Sequence, residues 1–73
     1  MKSKKEYDYE IGMAIRKARK RKRMNQEALA DLIGVNRTTI SKYESGSNPI
    51  GISAFLQICE APGVDPAEIL GGI

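Results

Sequence analysis

The chain contains no histidine, no tryptophan and a single cysteine, Cys59, among its 73 residues. One thiol forms no internal disulfide, and without His or a Cys cluster no zinc-type ligand set exists. The missing imidazole removes the commonest general base, and no Ser/His/Asp, Cys/His or paired-carboxylate arrangement replaces it. Enzymatic activity has no residue candidates, and neither a metal nor another cofactor is expected. No apolar run approaches the roughly 20 residues of a membrane span, and no secretory leader is recognisable. The expectation is a cytoplasmic protein without membrane attachment. β-type alternation is absent as well, which leaves helices.

A chain this short is one domain that buries only about 60% of its unfolded surface. Its stability must come from helix packing, with a second subunit as a further source. The net charge of +3 hides an asymmetry. Residues 1–25 hold ten Lys/Arg against three acids, whereas residues 26–50 and 51–73 sum to −1 and −3. A basic end suits a polyanionic partner, although a solvated helix end explains the same residues.

Residues 1–6 read as a basic, flexible tail and residues 7–73 as the domain. From about Tyr7 to Arg23, Ile11, Ala14, Ile15 and Ala18 recur at helical spacing. Asn25 caps a second helix, Gln26 to Ile33, and Asn36 a third, Arg37 to Glu44. Gly34 supplies the turn between them, and Gly46 stops the third. A fourth helix, Ile52 to Glu60, has Ile52, Phe55, Leu56, Ile58 and Cys59 as its apolar side and ends before Pro62-Gly63. Asp65 and Pro66 open a last turn reaching Leu70. The expected fold is an all-α, compact five-helix bundle. Tyr7, Tyr9, Met13 and Met24 read as core or helix-capping apolar surface, and Cys59 as a buried, inert thiol.

The segment Gln26–Ser45, QEALADLIGVNRTTISKYES, is the most informative one. Its first helix gathers Leu29, Ala30, Leu32 and Ile33 on an apolar face. Its second keeps Ile40 and Tyr43 on one side and Arg37, Thr38, Ser41 and Lys42 on the other. Such a helix is held down by one face while the other offers donors to the edges of bases in a major groove.

With IGMAIRKAR at 11–19, MNQEALADLIGVNRTTISKYESG at 24–46 and GVDPAEIL at 63–70, the chain resembles the phage repressor/Cro-type helix-turn-helix domains. The likeness runs from about Glu10 to Leu70 and implies a lambda-repressor-like DNA-binding domain with its helix-turn-helix at about 26–45. It also implies roles. Arg37, Thr38, Ser41 and Lys42 would read bases, Lys42 having phosphate as its alternative. Asn25 and Gln26 would hold DNA phosphates at the start of helix two, unless Asn25 is only a cap and Gln26 only solvated. Thr39, Ser45, Asn48, Lys22 and Arg23 are further phosphate candidates, with Ser45 and Asn48 equally suited to an ordinary turn. Arg19 and Glu44 would form a buried structural ion pair. Ile69, Leu70 and Ile73 are candidates for a dimer surface.

Two departures stand out. PIGIS before helix four makes a loop one residue longer than the family's, and Pro62 occupies the place of a core Leu. Helix four should therefore stop early. The function expected is a sequence-specific regulator of transcription, of repressor or controller type. As a homodimer it would bind a palindromic operator in double-stranded DNA, with no small-molecule ligand. Phage repressor, restriction-modification controller and antitoxin fit equally. The rival readings are a protein-interaction module on the same fold, such as the antitoxin of a toxin–antitoxin pair, and a basic surface-binding peptide without a core.

Overall fold

The computed structural model describes residues 1–73 as five helices without strands: α1 (Lys4–Arg21), α2 (Gln26–Ile33), α3 (Arg37–Ser45), α4 (Ile52–Glu60) and α5 (Pro66–Gly71). Four of them start from a side-chain cap. Ser3, Asn25, Asn36 and Asp65 each accept from a first-turn backbone N–H, which satisfies one of the donors a helix start leaves open.

α1 differs from expectation at both ends. It begins at Lys4 instead of Tyr7 because Ser3 and Glu6 form a reciprocal capping box, Ser3 Oγ accepting from the Glu6 N–H at 3.1 Å. The first turn of α1 thus lies within residues 1–6. The helix ends at Arg21, two residues early, because Arg23 adopts a left-handed φ of 58°. The Met24 N–H then bonds back to the Arg19 carbonyl at 3.2 Å, closing the helix in the manner a glycine usually provides.

Ile15, Ala18, Leu29, Ala30, Ile40, Phe55, Ile58, Cys59, Val64 and Ile69 form one core to which every helix contributes. Burying an Ile, Leu or Phe side chain contributes roughly 1.5–3 kcal/mol, so these few residues dominate the fold's stability. Other apolar residues lie outside it, contrary to expectation. Leu32 is 62% exposed, Ile52 69% and Leu56 43%. α4 turns Phe55, Ile58 and Cys59 inward, and its apolar arc is wider than the surface it meets. Tyr7 and Tyr9 are likewise exposed, whereas Met24 packs against the core. The Cys59 thiol is fully buried, and burial, with Asp65 as a lesser cause, raises its pKa.

α4 stops at Glu60, before Pro62, as the proline requires. The void beside Pro62, Leu29, Ile58 and Ile69 is only about 10 Å³, at the limit of what holds one water. The core therefore closes around the proline. No helix is long and apolar enough to cross a membrane.

Candidate nucleic-acid interface

α2 and α3 are joined by a sharp turn at Gly34, whose φ of 76° caps α2 while the Val35 N–H returns to the Ala30 carbonyl at 3.0 Å. The inner side of α3 is held in three different ways. Ile40 is wholly buried in the core. Glu44, 4% exposed, accepts from Arg19 through both carboxylate oxygens, at 2.6 Å from Nε and 3.0 Å from the second guanidinium nitrogen. Arg19 also donates to the Met24 carbonyl at 2.7 Å, so one side chain ties α1 to α3 and to the α1–α2 turn. Gln26 adds a third donor to Glu44, at 3.1 Å. A buried carboxylate with this many donors carries little uncompensated charge.

The third hold is close backbone approach. α1 crosses α3 at Gly12, where a Cβ would stand 2.7 Å from the Glu44 carbonyl oxygen and nearer still to that of Tyr43. Gly46, at φ 78°, ends α3 where a Cβ would stand 2.8 Å from Tyr9 Cα, too close to admit a side chain. Only residues without Cβ permit this contact. Sequence reasoning missed Gly12, for a glycine inside a helical run signals nothing about partners as distant in the chain as Tyr43 and Glu44.

With that side fixed, Arg37, Thr38 and Lys42 project as exposed side chains, and Ser41 is half-buried beside them. At 100° per residue these four fall on one arc of α3, opposite Ile40 and Tyr43. Arg37 leans toward Gln26 Oε1, at 3.5 Å. Asn25 Oδ1 is engaged by the Ala28 N–H at 2.7 Å, which leaves its amide NH₂ free as a donor. Gln26 is half-buried, its amide nitrogen given to Glu44.

Several sequence candidates are used otherwise. The Thr39 hydroxyl donates to Asn36 Oδ1 at 3.0 Å, so it serves the start of α3 and has no proton left for a phosphate. Ser45 Oγ donates to the Lys42 carbonyl at 3.1 Å and lies 2.8 Å from Ser47 Oγ, which makes it a turn residue first. Asn48 is exposed, and only its backbone N–H is bonded, to Lys42. Lys22 and Arg23 are exposed in the turn before Asn25. Ile69 is a correction: at 5% exposure it belongs to the monomer core, because α5 must bury it to close the bundle. Leu70, 50% exposed, and the half-buried Ile73 remain of that surface.

Two clefts flank α1. One, of about 580 Å³, lies against α3 and is lined by Arg16, Gln26, Ser41 and Ser45 among others. The other, of about 720 Å³, lies against α5 and is lined by Lys17, Lys20, Arg21, Ile69 and Ile73 among others. The basic run of residues 19–23 is therefore divided: Arg19 points inward, and Lys20 and Arg21 face away from α3.

A sequence model of the helix-turn-helix family matches residues 15–69. The HTH-type transcriptional regulator y4aM of Sinorhizobium fredii is 40% identical over 60 residues, which span 82% of this chain and 42% of the relative. A putative HTH-type transcriptional regulatory protein of Methanoculleus marisnigri is 44% identical over 62 residues, spanning 82% of the chain but 20% of that protein. The chain thus matches less than half the length of these curated relatives. Among solved structures, the restriction-modification controller protein C.AhdI of Aeromonas hydrophila superposes with a TM-score of 0.87 at 25% identity, covering 93% of this chain and 99% of that one. The clp gene regulator ClgR of C. glutamicum shares the fold, at TM-score 0.85 and 23% identity over 96% of this chain and 87% of its own.

Proposed function

The chain belongs to the Cro/CI-type helix-turn-helix family, and from that premise we propose that it is a sequence-specific regulator of transcription that acts by occupying an operator in double-stranded DNA. The observation that carries the proposal is the split character of α3. One side is locked by Ile40, Glu44 and the approach of Gly12, while Arg37, Thr38, Ser41 and Lys42 face outward. A helix that reads DNA needs both, a rigid mounting and an arc of donors.

In this mechanism α3 lies in the major groove. Arg37 makes a bidentate contact to guanine O6 and N7, Thr38 and Ser41 offer hydroxyls to neighbouring base edges, and Lys42 takes an acceptor in the groove or the flanking phosphate. The free amide NH₂ of Asn25, the N–H groups of Gln26 and Glu27 at the start of α2, and Lys22, Arg23 and Asn48 hold the backbone and set the docking register. Two copies, meeting through the region of Leu70 and Ile73, read a palindromic site with half-sites about 34 Å apart.

Selection from a random duplex library tests this. A palindromic motif enriched at moderate salt is the expected result, and no enrichment overturns the proposal. One observation favours a second reading, a protein-interaction module: Leu32, Ile52 and Leu56 present apolar surface to solvent. That reading gains only if the selection fails.

A further inference from the structure

α1 carries exposed cations on two sides, separated by a ridge of Tyr9 and Met13, which line both clefts. Lys17, Lys20 and Arg21 line the cleft against α5. Arg16 is the one exposed α1 cation in the cleft against α3, where Ser41 and Ser45 form the opposite wall. The other charges in that cleft, Arg19 and Glu44, cancel in their bidentate pair. Arg16 takes part in none of the molecule's three ion pairs, so the cleft keeps one uncompensated positive charge. The cleft is also continuous, through Ser41, with the outward arc of α3.

We propose that Arg16 is a further DNA-backbone ligand, its guanidinium taking a phosphate on the strand that borders the groove occupied by α3. This rests on the DNA-binding reading above. A planar fork of donors matches two phosphate oxygens, and an unpaired guanidinium loses no existing partner on binding. Lys17, only one residue away, lies on the other side of the ridge and serves as the control.

The test is the salt dependence of binding to the selected duplex and to an unrelated one, for the wild type, Arg16→Ala and Lys17→Ala. Arg16→Ala is expected to weaken both duplexes alike and to reduce the slope of log affinity against log salt by about 1. Its melting temperature should match the wild type, because Arg16 holds nothing in the fold. Lys17→Ala should leave the slope at the wild-type value. An unchanged slope in Arg16→Ala, or equal losses from both substitutions, overturns the assignment while the wild type still binds DNA. Absence of binding by the wild type overturns the assignment together with the reading it rests on.

Discussion

α3 and α4 are both nine residues long, yet the fold treats them differently. α4 is the more apolar, and it docks through Phe55, Ile58 and Cys59 while leaving Ile52 and Leu56 in solvent. α3 buries only Ile40 and Glu44 outright, but it adds the Arg19 pair and the Gly12 contact. Hydrophobic burial is non-directional, so it holds α4 without needing to fix its rotation. Bidentate hydrogen bonds and backbone contact have narrow geometry, and they orient α3. Under the proposed function, in which α3 presents Arg37 and Thr38 to DNA at a fixed angle, the helix gains from the second kind of attachment.

Substitutions can break that contrast in order of decreasing effect. Arg19→Ala leaves the Glu44 carboxylate buried without its partner and should cost about 3–5 kcal/mol in chemical denaturation. A cost near zero would mean that the pair does not hold α3. Gly12→Ala drives a Cβ into the α3 carbonyls, which no rotamer change relieves. It should destabilise by about 1–3 kcal/mol, even though Ala is the better helix former by about 1 kcal/mol. A stabilised variant would show that the helices are not in backbone contact.

On α4 the effects should be smaller. The raised pKa of Cys59 means that the unfolded chain loses its thiol proton first as pH rises. Stability from this group is therefore intact at neutral pH and declines above the ordinary thiol range, about 8.5. Melting at pH 7 and pH 10 should show a larger drop for the wild type than for Cys59→Ala, and equal drops would contradict the buried thiol. Ile52→Ser should change stability by no more than about 0.5 kcal/mol. A loss of several times that in dilute solution would place Ile52 in a contact that the monomer lacks.

Much of this fold is legible in the residues. α2 lies between Asn25 and Gly34 and α4 between Gly51 and Ala61, because caps and stops act through local backbone chemistry. The start of α1 was legible too, in the Ser3-Lys-Lys-Glu6 spacing, but the basic composition there obscured it. Its end was not, since Arg23 takes a left-handed φ that no side chain advertises. Periodicity identifies which apolar residues share a face, not how wide the neighbouring surface is. Leu32, Ile52, Leu56 and Ile69 went astray for that reason. At the candidate interface, the outward arc of α3 follows from spacing alone. The Gly12 contact, the use of Thr39 and Ser45 hydroxyls within turns, and the placing of Arg16 across a cleft from Ser41 depend on three-dimensional packing.

The central claim is that α3 reads bases through Arg37, and the direct test is discrimination by Arg37→Ala between the selected operator and its single-base variants. The account predicts a loss of about 1–3 kcal/mol on the operator, relaxed preference at one base pair in each half-site, and an unchanged melting temperature. Operator discrimination left intact in Arg37→Ala would contradict it.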